Sequence, residues 1–137
     1  MSLQKALIDT DILSAIMRKN VMVQRRATEY LKKHNHFTIS IITRYEILRG
    51  LKVKGATNQE KVFDRLCSKS KILPITDEII NRATEVYADL HKRGLLIGDA
   101  DILIASTALA NGLKIITNNE DHFSRIPGLQ IDNWLKK

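Results

Sequence analysis

The stretch KALIDTDILS, residues 5–14, runs from the apolar Ala6, Leu7 and Ile8 straight into two carboxylates, Asp9 and Asp11. Acids two residues apart at the end of an apolar strand serve either a metal ion or a nucleophile with its proton donor. Further acids recur along the chain: Glu46 in ISIITRYEILRG, Asp99 and Asp101 in IGDADILIA, and Glu120 and Asp121 beside Asn119 in TNNEDHF. Grouped carboxylates repel one another and raise each other's pKa values. A hard divalent cation removes that penalty, and all-oxygen donors favour Mg²⁺ or Mn²⁺. Such an ion activates water and stabilises charge on phosphoryl oxygens, which is the chemistry of phosphodiester hydrolysis.

Each acid also has a plain structural role available. Asp9 can cap a helix, Asp99 and Asp101 suit the first turn of one, and Glu46 can pair with Arg49 or Lys52 on a solvated face. Asn119 fits a turn. What favours a site is that all of these positions fall where strands end.

The elements that must position them alternate. KALID reads as a buried strand, followed by a helix over DILSAIMR that Asp9, Thr10 or Asp11 can cap. A helix over roughly residues 20–34 places Val23, Ala27, Tyr30, Leu31 and His34 on one face. HFTIS is a second strand. Ser40 caps a helix over IITRYEILRGLKV with Ile41, Tyr45 and Leu48 as its core face. Thr57 to Glu60, TNQE, matches a capping box, and the helix behind it carries Val62 with Leu66 and Phe63 with Cys67. KILPI is a third strand. Thr76 or Asp77 opens a helix that ends at Gly94, with Ile79, Ile80, Ala83, Val86, Tyr87 and Leu90 inward. DADILIASTALANG is a further helix, KIIT a fourth strand and LQIDNW a fifth. This order predicts an α/β fold, a three-layer α/β/α sandwich around a parallel sheet of four or five strands. Functional groups then collect at the carboxyl ends of the strands.

The 137 residues, 44% of them apolar, fit one domain over residues 1–137 with a single core. The chain carries 22 Lys and Arg against 15 Asp and Glu, a net charge of +7, which attracts polyanions. The basic pairs are scattered (Arg25-Arg26, Lys32-Lys33, Lys92-Arg93, Lys136-Lys137), so the charge serves solubility as readily as nucleic-acid binding. No apolar run is long enough to span a bilayer, and no signal peptide is expected. The single Cys67 forms no internal disulfide, and a reducing, cytoplasmic setting is expected.

The stretches LIDTDILS, ISIITRYEILRG, IGDADILIASTALANGLKIITNNEDHF and RIPGLQIDNW, in that order and over nearly the whole chain, resemble the PIN-domain ribonucleases. Within them the likeness is to the VapC toxins of bacterial and archaeal toxin–antitoxin pairs. The resemblance implies metal-dependent cleavage of RNA, a homodimer, and a VapB-like antitoxin that blocks the site. It assigns Asp9 as the first family acid, Glu46 in EILRG as the second and Asp101 as the third. Asp99 is an additional acid, expected to tune the metal's surroundings. The fourth family position falls on Asn119, where an amide adds an oxygen but no charge, and Glu120 or Asp121 stands close by out of register. Asp9 and Asp101 are then the direct ligands of Mg²⁺ or Mn²⁺, with Glu46 direct or through water, while Asn119 and Thr117 orient the attacking water. Arg44 and Arg49 either hold the RNA backbone or face solvent.

Two rival readings remain at this point. A phosphatase of the haloacid-dehalogenase type would use Asp9 as nucleophile and Asp11 as acid/base. Against it, Leu103 stands where a second late acid is wanted. A PIN-like module that binds RNA or protein without cutting draws its support from Asn119. In the nuclease reading Asp11 is only a helix-start acid, His122 packs a turn, and Trp134 anchors the C-terminal segment.

Overall fold

The computed structural model describes residues 4–136; the first three residues and Lys137, which the single-domain reading of 1–137 includes, lie outside the described residues. Five short strands form one sheet: β1 (Ala6–Ile8), β2 (Thr38–Ser40), β3 (Lys71–Leu73), β4 (Lys114–Ile116) and β5 (Ile131–Asp132). Their order is β3-β2-β1-β4-β5, and every neighbouring pair is parallel. Ile8 is level with Ile116 across the central pair. Connections run one way from β1 to β2 and β3 and the other way to β4 and β5. The topology therefore switches between β1 and β4, where open α/β sheets leave a crevice.

Both faces of the sheet are covered, which is why β1 is apolar throughout. Ala6 and Ile8 pack into one layer with α1 (Thr10–Met17), α2 (Val21–His34), α3 (Ile41–Lys54) and α4 (Thr57–Ser68). Leu7 points into the other, with α5 (Asp77–Lys92), α6 (Asp99–Ala110) and α7 (Glu120–Phe123). The three-layer sandwich of the sequence reading is thus the observed architecture.

Local chemistry sets the helix ends. The Asn20 side chain accepts the Val23 N–H at 3.1 Å, Ser40 Oγ accepts that of Ile42 at 3.0 Å, and Thr76 Oγ1 that of Ile79 at 3.2 Å. Gly94 and Gly112 follow α5 and α6 at positive φ of 69° and 64°, a conformation costly to other residues. Trp134 is buried beside Tyr30, ring centroids 5.6 Å apart, and the Tyr30 hydroxyl accepts the Ala6 N–H at 3.1 Å. The C-terminal segment is so tied to β1, as expected of Trp134.

Three expectations are corrected. Tyr45 is not on the core face of α3: it is 60% exposed, and Thr43 and Ile47 are the buried positions. Apolar residues surround this helix, so periodicity does not select a face; packing does. Thr57 is not an N-cap: it already lies inside α4 behind Ala56, and Glu60 pairs with Lys52 at 3.1 Å instead of closing a capping box. On α5, Ile79, Ala83 and Leu90 are buried while Ile80 and Tyr87 are each 43% exposed, since one stripe suffices against a neighbouring helix.

Candidate metal and catalytic site

The acids gather at the switch point. Asp9 follows β1 at the N-cap position of α1, yet its side chain makes no capping bond. Its carboxylate is nearly buried, and Oδ2 accepts the Thr117 hydroxyl at 2.8 Å across the β1–β4 seam. Thr117, fully buried after β4, accepts the Asn119 N–H on the same oxygen at 2.9 Å. That bond commits the Thr117 proton to Asp9. The Asn119 amide nitrogen then lies 3.5 Å from Asp101 Oδ2, in the first turn of α6. His122 Nδ1 stands 3.0 Å from the same Asp101 oxygen and 2.9 Å from the Asn119 amide nitrogen. It serves one of them at a time, donating to Asp101 when protonated there or accepting from Asn119 when not.

Glu46 enters from α3, with its Oε1 accepting the Thr10 hydroxyl at 2.7 Å. Thr10 also meets the Thr43 hydroxyl at 3.1 Å, so the residue after Asp9 fixes the Glu46 rotamer. Arg49 lies 3.8 Å from the other Glu46 oxygen. Asp11 turns back over the sheet end and accepts the Asn118 N–H at 3.0 Å through Oδ2, while its buried Oδ1 has no hydrogen-bond partner.

Asp9 and Asp11 are short of positive charge. Burial first, and then the charge of Asp11, raises the Asp9 carboxyl from 3.8 to about 7 against the Thr117 hydrogen bond. Burial also raises Asp11, opposed by the Asn118 N–H, with Asp101 adding repulsion. Asp9 and Asp11 meet a hydroxyl, backbone amides and each other's carboxyls rather than cations. The N-termini of α1 and α6 supply only partial positive charge here. An oxygen-only donor set with a repelling pair and an orphaned carboxylate oxygen fits a hard divalent cation. Asp9 and Asp101 would hold it, with Asp11 and Glu46 beside them. Among the described residues no group of three or more His, Cys, Asp or Glu side chains stands close enough to hold a metal ion by itself.

The predicted residues divide clearly. Asp9, Asp101, Thr117 and Asn119 form one hydrogen-bonded chain, and Glu46 joins through Thr10. Asp99 is exposed at the first position of α6, and among the described residues no hydrogen bond links it to that chain. Glu120 is turned to the C-terminal segment, accepting from Asn133 at 2.9 Å and from Lys136 at 2.7 Å, which holds its carboxyl below the ordinary range. Asp121 pairs with Arg125 at 3.0 Å. Of the three residues in that turn, Asn119 is the one beside Asp101. Arg44 interacts with Cys67, away from the acids, whereas Arg49 is at their edge. Sequence reasoning discounted Asp11 and His122 and passed over the part of Thr10 in holding Glu46. The D-x-D spacing at the start of α1 was the signal for Asp11.

From Thr10 and Glu46 a groove of about 420 Å³ runs between α1, α3 and α4. Met17, Ile47, Leu51 and Val62 line its apolar part, and Arg18, Lys19 and Lys54 supply positive charge.

A parallel sheet with an acid cluster at its switch point defines a class, and the comparisons with known proteins agree. The family model described as PIN domain matches residues 6–129, and the chain belongs to that family. Its relatives place it among the VapC proteins. It is 32% identical over 131 residues to Ribonuclease VapC2 of Rickettsia felis, covering 95% of this chain and 98% of that one. To Ribonuclease VapC1 of Methanocaldococcus jannaschii it is 36% identical over 129 residues, covering 93% and 86%. To the tRNA(fMet)-specific endonuclease VapC of Salmonella typhimurium it is 31% identical over 97 residues, covering 70% and 74%. Among solved structures, VapBC2 from Rickettsia felis bound to a promoter DNA fragment superimposes with a TM-score of 0.86 at 30% identity, covering 96% and 99%. Membership of the PIN family leaves no place for the haloacid-dehalogenase reading.

Proposed function

We propose that this protein is a divalent-metal-dependent endoribonuclease and the toxin of a VapBC-type toxin–antitoxin pair. The observation that carries the reading is the Asp9–Thr117–Asn119–Asp101 chain at the switch point, with Glu46 locked to it by Thr10. A bound Mg²⁺ or Mn²⁺ supplies activation of water and neutralisation of phosphoryl charge. The chain's own residues do the rest. Thr117 fixes the Asp9 carboxylate and Thr10 fixes Glu46, so the ligands need no reordering when the ion arrives. Asn119 places an amide beside Asp101 that can bond the attacking water. The basic surface draws in the phosphate backbone, which the acid cluster alone would repel.

An antitoxin partner follows from the VapBC assemblies of its structural relatives, and the groove leading to Glu46 suits an apolar segment with acidic flanks. The protein acts in the cytoplasm as a homodimer. Among the described residues no helix is long and apolar enough to cross a membrane. Sequencing RNA ends after induced expression tests the activity. Wild type gives new ends at defined positions, tRNA being the class to inspect first, whereas Asp9→Asn gives none. Purified protein cuts with Mg²⁺ or Mn²⁺ and stops with chelator. Tight RNA binding without cleavage in either metal would instead establish a binding module.

A further inference from the structure

Tyr45 spends its aromatic ring on solvent. It is 60% exposed and stands in α3 next to Glu46, on a helix where Thr43 and Ile47 are the buried positions and Val53 also faces solvent. One turn on, the Arg49 guanidinium carbon lies 5.1 Å from the Tyr45 ring centroid. The same guanidinium reaches to 3.8 Å from Glu46, whose other oxygen is held by Thr10. A cation over an aromatic face is attracted by the ring quadrupole, and here a site carboxylate steadies it from the side. The pair is thus ordered at the edge of the acid cluster, and the Arg49 side chain is still 57% exposed. Glu46 lines the groove, whereas Tyr45 and Arg49 do not. The other well-exposed tyrosine, Tyr87, lies on α5 against His91.

Flat π faces and guanidinium planes bind unpaired nucleobases by stacking, with little preference for sequence. Arg does this and Lys does not, because the guanidinium is planar and weakly hydrated. We propose that Tyr45 and Arg49 form a stacking platform for an unpaired nucleobase next to the phosphate being cut. The proposal rests on the ribonuclease reading and adds to it the two residues that hold a base beside the cut. Bases held in a duplex keep their faces stacked on each other and are not available to the platform.

Steady-state cleavage of a short unpaired oligoribonucleotide, with anisotropy of the labelled strand in parallel, tests it. Tyr45→Ala raises KM about tenfold and leaves kcat within about twofold. Tyr45→Phe and Tyr45→Trp, which keep a flat ring, stay within about twofold of wild type. Arg49→Lys, which keeps charge without the plane, raises KM to an intermediate value. Affinity for a duplex of the same sequence does not change in any variant. An unchanged KM in Tyr45→Ala overturns the platform. So does a fall in kcat at constant KM, which would make Tyr45 a prop for Glu46. A change in oligomeric mass with Tyr45→Ala overturns it too, giving this face to a second copy of the chain. Wild type that neither cuts nor binds RNA removes the ribonuclease reading itself, and is seen before any variant is made.

Discussion

The Thr117 hydroxyl donates to Asp9 at 2.8 Å while receiving the Asn119 N–H at 2.9 Å, so one buried oxygen joins the end of β1 to the turn after β4. Its removal leaves two polar groups without their partner. Thr117→Val, nearly the same shape, destabilises the fold by about 1–3 kcal/mol through the stranded Asn119 N–H and the loosened carboxylate. Cleavage falls about tenfold or more because the Asp9 oxygens lose their fixed direction. Thr117→Ser restores both. Chemical denaturation and initial cleavage rates check this, and a Val variant with wild-type activity contradicts it.

Metal-free protein loses stability as pH rises. The Asp9 carboxyl, at about 7 in the fold against 3.8 ordinarily, keeps a proton that the unfolded chain has released. Where the folded state holds more protons than the unfolded one, raising the pH favours unfolding. Stability therefore declines between about pH 4 and about pH 7 and levels off above, where both states are ionised. The loss from Asp9 is of the order of a few kcal/mol. Thermal melts in chelator over that window follow the decline. Mg²⁺ or Mn²⁺ raises the melting temperature most at the alkaline end, and Asp9→Asn flattens the slope. Melting temperatures that climb with pH in chelator would be the contrary result.

Asp11 belongs to the acid cluster as well as to the start of α1. Its Oδ1 is buried without a partner and its charge raises Asp9. Asp11→Asn keeps an acceptor for the Asn118 N–H and removes a repelling charge. The metal-free protein is then stabilised by about 1 kcal/mol or more, while cleavage weakens by less than in Asp9→Asn or Asp101→Asn. Each of those two loses at least about a hundredfold. Metal titrations followed by melting temperature show a lower affinity in Asp11→Asn. Equal affinities with and without the Asp11 charge would remove it from the cluster.

Trp134 secures the C-terminal segment against Tyr30. It is 1% exposed and packs on Tyr30, which in turn bonds Ala6 at the start of β1. Trp134→Ala costs about 3–5 kcal/mol, as large-to-small changes in a packed core do. Denaturant titration measures that cost. Variant protein that remains folded at low temperature keeps its KM for RNA.

Several features were legible in the residues alone. A strand buried on both faces is apolar throughout, so ALI announced a covered parallel sheet, and KII, apolar in its two buried residues, agreed with it. Helix ends were legible where a local bond or a positive φ made them, as at Ser40, Thr76 and Gly112. Asp9 and Thr117 were legible as candidates because they follow strands, and a parallel sheet sends all its strand ends one way, whereas Asp101, in the first turn of α6, was assigned through the family resemblance.

What lay beyond the sequence depended on rotation and on distant partners. Apolar residues ring α3, so only its packing against neighbouring helices decided that Thr43 and Ile47 go inward and Tyr45 outward. Three polar side chains compete in the turn after β4. Asn133 and Lys136 draw Glu120 away, Arg125 takes Asp121, and Asn119 is left beside Asp101. Thr10 became the holder of Glu46 through a contact spanning 36 residues of chain. Periodicity and turn chemistry act over a few residues and are written in the sequence, whereas long-range hydrogen bonds and like-charge crowding exist only once the chain has closed on itself.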